Sequence, residues 1–161
     1  MHLNYTASNA TSYALQYALT PNSSYADFTN YGGDCTNFIS QCLYAGGKSM
    51  HYGTAYSGNC WYYTTSTNRS STWTGASQFR NYVLSSNSQL NMSTSSWSSV
   101  VNGDIIQLLS SGSAYHSLII TGIAYGTYVR SDLLVCAHTT NRRHVSLQAY
   151  YSGTKAYYHV N

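Results

Sequence analysis

Gly103-Asp104-Ile105-Ile106-Gln107-Leu108-Leu109, then the turn pair Gly112-Ser113, then His116-Ser117-Leu118-Ile119-Ile120-Thr121-Gly122-Ile123, is the stretch on which the fold turns. Two extended runs separated by glycine turns predict antiparallel strands over 104–109 and 116–123. The second run is apolar on both faces at its middle, the pattern of a central strand covered on both sides. Leu133-Leu134-Val135-Cys136-Ala137-His138 predicts a third strand, with fourth and fifth strands over 144–147 and 156–160.

Upstream the period changes to that of helices. Ala10, Tyr13, Ala14, Tyr17 and Ala18 share one face of a helix over residues 7–19, which Pro21 closes. Cys35, Phe38, Ile39, Cys42 and Leu43 fall at i, i+3, i+4, i+7 and i+8 of a helix over 34–45, with Gly46-Gly47 as its stop. A third helix spans 75–85, and 22–33, 46–74 and 86–99 read as loops. Helices first and a strand meander after them make an α+β fold, helices packed on a central antiparallel sheet, in one domain over 1–161.

Composition narrows the function. Charged residues are only 7% of the 161, the net charge is +3, and no basic cluster exceeds Arg142-Arg143, which excludes a nucleic-acid binder. The 18 tyrosines and an abundance of Ser, Thr and Asn suit sugar or peptide contacts outside the cell. No apolar run reaches the length of a membrane span. The cysteines at 35, 42, 60 and 136 lack CxxC spacing, against structural zinc, and leave room for at most one disulfide once Cys35 is kept free.

Cys35 follows two turn-forming glycines and Asp34, a residue suited to capping the helix that Cys35 begins. The helix dipole there favours a thiolate, although a small buried core cysteine is the commoner fate. Thiol catalysis also needs a base and a group to orient it. His116 opens one central strand and His138 closes its neighbour, so antiparallel pairing predicts that the two meet, within reach of the Cys35 helix. A metal on these two histidines is weighed against a triad, and the cysteine helix favours the triad. Neither metal nor cofactor is expected.

Gly-Gly-Asp-Cys35-Thr-Asn-Phe-Ile-Ser-Gln-Cys-Leu, Gly103-Asp104, His116-Ser-Leu-Ile-Ile and Cys136-Ala-His138-Thr-Thr, in that order, resemble the amidase domains of bacterial secreted proteins and the wider NlpC-type and CHAP-type cysteine hydrolases. The resemblance implies a papain-like (NlpC-type) fold with Cys35 as nucleophile and His116 as general base and acid. It implies His138 as the orienting residue, with Asn141 able to take the same part. Tyr31 is the preferred match to the family's tyrosine upstream of the nucleophile. Asp34 has two readings, helix cap or contact with a substrate amine or hydroxyl. Trp61, Tyr62, Tyr63 and Trp73 either wall an aromatic cleft or simply cover the core. The substrate implied is peptidoglycan or another glycopeptide, and the protein implied is a monomeric domain of a larger secreted or cell-wall-associated chain. Met1-His2-Leu3-Asn4 does not read as its signal peptide. Two alternatives stand beside hydrolysis: a cell-wall or carbohydrate binding module on an idle scaffold, and an acyl-transfer enzyme.

Overall fold

The computed structural model describes residues 4–124, 132–150 and 152–161. Helix α1 spans Ala7–Tyr17 and α2 spans Cys35–Ala45. A small hairpin of β1 (Tyr63–Thr65) and β2 (Asn68–Arg69) leads into the short helix α3 (Ser71–Thr74) and α4 (Ala76–Val83). The sheet follows: β3 (Met92–Ser95), β4 (Ile105–Ser110), β5 (Ser113–Ile123), β6 (Leu133–Ala137), β7 (Arg142–Ser146) and β8 (Thr154–Val160). Its spatial order is β3-β8-β4-β5-β6-β7, antiparallel at each pairing. The α+β reading therefore holds, with β4 and β5 central.

Strand alternation explains why β5 is apolar on both sides. Ile105, Ile119, Cys136 and Tyr158 face the helices and meet Phe38, Ile39, Cys42 and Leu43 of α2. Ile106, Leu118, Ile120, Val135 and Ala137 face the other way, onto Val100, Leu147 and Tyr157. Each face thus has its own core, and α2 lies over the first.

Several details differ from the sequence expectation. The 86–99 segment contains β3, an edge strand whose Ser and Thr residues face solvent and leave no apolar alternation to read. The turn before β5 is tight, so β5 begins at Ser113, and His116 stands inside the strand rather than at its opening. Asp104 is more than a turn residue. Buried, it accepts the amides of Val101 (2.9 Å) and Val160 (3.1 Å) and pairs with His159, tying β4 to β8.

The largest difference concerns the aromatics of 46–74. Trp61, Tyr62 and Trp73 lie in the core, and the two indoles stand 4.7 Å apart. Trp61 donates its indole N–H to Ser40 Oγ and Trp73 donates its own to Asn37 Oδ1. With both indole hydrogens satisfied on α2, burying these rings gains apolar contact at no hydrogen-bonding cost. Trp61 is consequently a core residue and not a wall of a substrate cleft.

Candidate active site

The two glycines before α2 allow the loop to turn, with φ +96° at Gly32 and +102° at Gly33. The first α-helical bond runs from Phe38 N to Asp34 O, so the amides of Cys35, Thr36 and Asn37 lie outside the ladder. Cys35 sits there, nearly buried at 7% exposure, and α2 rests on β5 through Thr36, whose hydroxyl meets Ser117 Oγ at 2.9 Å. All four cysteines are free thiols.

Strand chemistry then brings the Cys35 sulfur to β5. Ile120 donates its amide to Asp104 O, so the even-numbered amides of this segment face β4 and Ser117 N–H faces the β6 side. The β6 pairing ends at Ile119 with Cys136. Beyond that end Ser117 N–H is released from the sheet, and its backbone lowers the Cys35 pKa. Thr36 Oγ1 lies 3.7 Å from the same sulfur.

His116 precedes Ser117 and projects from the opposite face. Its ring lies 5.5 Å from that of Tyr150, in the 3-10 turn Leu147–Tyr150, and the Arg142 guanidinium stands 5.5 Å over the same tyrosine. Burial, with the Arg142 charge adding to it, lowers the His116 pKa from 6.5 to about 4. Burial of the Tyr150 phenol raises its pKa; Arg142 opposes that, and the Cys35 and Cys136 thiols add to it. No hydrogen bond joins Cys35 to His116 among the described residues.

The thiol itself differs from the sequence expectation. Burial raises the Cys35 pKa, and the hydrogen bonds from Thr36 and Ser117 offset this only in part. Cys35 and His116 each favour the neutral form, because desolvation is the largest influence on both.

His138 lies elsewhere. The β5–β6 register sets it across from Ser117, on the helix side of the sheet and the opposite face from His116. Its ring stacks on Phe38 at 4.0 Å; Nδ1 meets Asp34 Oδ2 at 2.6 Å and Nε2 meets Tyr17 O at 2.7 Å. Both partners are oxygens that accept, so these two bonds occupy both ring nitrogens and leave none to orient His116. Asp34 does not cap α2 with its side chain. Its other oxygen accepts from Phe28 N and Asn37 Nδ2, both at 2.8 Å. The neighbouring Thr139 accepts Asp34 N–H at 2.7 Å. Asp34, His138 and Thr139 together fasten the loop before Cys35 to the end of β6. Asn141 lies exposed in the β6–β7 turn, and Tyr31 is 81% exposed at the loop's tip.

Behind Cys35 runs a buried polar chain that sequence reading missed. Ser117 Oγ also accepts from Gln107 Nε2 (3.0 Å), Tyr158 donates to Gln107 Oε1 (2.9 Å), and Arg80 donates to Tyr158 Oη (2.5 Å). Gln107, a polar residue at a central position of an apolar strand, was the one visible signal of it. Arg142 and Tyr150 carried no such signal. Among the described residues no cluster of three or more His, Cys or Asp side chains could hold a metal ion, and no helix is long and apolar enough to cross a membrane.

An α+β scaffold with a six-stranded antiparallel sheet carries these side chains. The family model described as "Putative amidase domain" matches residues 4–160, and the chain belongs to that family. No curated protein and no solved structure matches the chain.

Proposed function

We propose that this chain is a cysteine amide hydrolase of the papain-like, NlpC-type and CHAP-type kind, acting outside the cell on peptidoglycan. The reading treats 1–161 as one hydrolase domain of a larger secreted protein. Amidase-family membership supports amide hydrolysis. The observation that supports the cysteine mechanism is the Ser117 backbone acting on the Cys35 thiol, with a half-buried, neutral His116 next to Ser117 in the chain.

In this mechanism the proton leaves Cys35 Sγ for His116 as the sulfur attacks the amide carbonyl, because neither group is charged at rest. The tetrahedral oxyanion is met by the Cys35 amide at the open end of α2. His116 returns the proton to the departing amine, leaving a thioester on Cys35. A water, deprotonated by His116, then attacks the thioester and releases the acid, and the thiol regains its proton. Asp34 and His138 act on the loop that carries Cys35 rather than on His116. Tyr31, exposed at the tip of that loop, contacts the substrate.

The binding-module alternative draws no support from Trp61, Tyr62 and Trp73, which lie in the core, and rests on exposed rings such as Tyr52, Tyr56 and Tyr115. Incubating purified sacculi with wild type and with Cys35→Ala tests the proposal. New amino groups and soluble muropeptides should appear only with wild type. Release by both proteins, or by neither, overturns it.

A further inference from the structure

We infer that the cleft between the 28–33 loop and the α3–α4 corner is a subsite for a substrate carboxylate, with Arg69 as its receiver. The word substrate rests on the amide-hydrolase reading of Cys35; the anion site does not.

The cleft has a volume of about 220 Å³ and is lined by Phe28, Tyr31, Gly33, Arg69, Ser71 and Gln78 among others. That is room for a single amino-acid residue, below the size of a whole-ligand pocket. Gly33 lies two residues before Cys35, so one wall of the cleft is within roughly 7 Å of the nucleophile's backbone.

Arg69 is held in place without being neutralised. Its guanidinium stands 4.6 Å over the Phe28 ring and 5.2 Å over the Tyr56 ring. Nε donates to Ser66 O (3.0 Å) and Nη1 to Thr74 Oγ1 (2.6 Å). Both acceptors are uncharged. The chain has only four acidic residues, all Asp. Asp34 is taken by His138, Asp104 by His159, and Asp27 by the amide and hydroxyl of Thr29, while Asp132 is buried just before β6. Among the described residues no carboxylate lies within ion-pair distance of Arg69. A guanidinium already stacked and hydrogen-bonded loses little freedom when it binds, and its planar edge matches a carboxylate.

The lining also selects the anion. Arg69 is the single charged residue around the cleft, and the remainder are aromatic rings, hydroxyls, an amide and glycines. One fixed positive charge suits a monoanionic carboxylate, whereas a phosphate dianion would need a second cation.

The test is a backbone amide NMR titration of the full chain carrying Cys35→Ala, which removes turnover. The probes are the sodium salt of N-acetylalanine and, as the uncharged match, N-acetylalanine amide. The carboxylate should shift the amides of Gly32, Gly33 and Gly75 saturably, and the amide probe should not. Arg69→Gln should weaken the carboxylate at least about ten-fold, and Arg69→Lys should retain part of it. Overturning results are equal binding of the two probes, unchanged affinity in Arg69→Gln, or no saturable shift up to the solubility of the salt. If Arg69→Gln fails to fold, its place is taken by Arg69→Lys, whose affinity must fall below wild type. Failure of the hydrolase reading is seen separately, in sacculus digestion.

Discussion

His116 should titrate near pH 4 in the folded protein, and the consequences can be followed quantitatively. Burial is the main cause and the Arg142 charge the lesser one. The gap between 6.5 and about 4 corresponds to roughly 3 kcal/mol favouring the neutral ring. At pH 7 about one ring in a thousand would then carry a proton, so the imidazole is always ready to accept one. The unfolded chain takes up a proton as pH falls through 6.5, while the folded chain resists until about 4. Acid therefore removes stability across that interval, by up to about 3 kcal/mol from this group. Arg142→Gln should raise the midpoint yet leave it below 6.5, because the burial remains. Imidazole carbon and proton shifts of His116, followed from pH 3 to 8 in wild type and Arg142→Gln, measure both midpoints without a substrate. A wild-type midpoint near 6.5, or one that Arg142→Gln leaves in place, refutes the reasoning. In a working hydrolase the same midpoint should set the acid limb of kcat/KM.

Other perturbations test the scaffold. His138→Leu strands the Asp34 carboxylate in the core and should cost about 3–5 kcal/mol, read as a lowered midpoint in urea unfolding. Trp73→Ala opens a cavity against Trp61 and α2 and should cost roughly 3–5 kcal/mol in the same assay. Gly103→Ala puts a Cβ 2.8 Å from that of Ala7 at a φ of +88°; a fall in Tm equivalent to about 1–3 kcal/mol is expected. Thr36→Val removes a hydroxyl that lowers the Cys35 pKa, so alkylation of Cys35 by iodoacetamide at pH 8 should slow, as followed by peptide mass spectrometry.

The main elements were legible because each buries a face with its own period. The stripe from Cys35 to Leu43 and the unbroken apolar run of 118–120 left little choice but a helix lying on a central strand. The edge strand β3 was not legible, since an exposed Ser/Thr strand has no apolar alternation to show. The aromatic segment misled for a different reason. A Trp or Tyr in a loop looks alike whether its polar end meets a substrate or, as with Trp61 and Trp73, an acceptor on α2.

The sequence by itself determined the α+β class, the position of Cys35 at a helix start, and its place before a strand carrying His116. Those are local facts, written in periodicity and turn chemistry. Only the tertiary structure decided which face each histidine occupies. One residue of register sends His116 to Tyr150 and Arg142, and His138 to Asp34 and Tyr17 O. It also decided the charge state at rest. How far water is excluded from Cys35 and His116 depends on the elements packed over them, and that exclusion outweighs the field of the helix end.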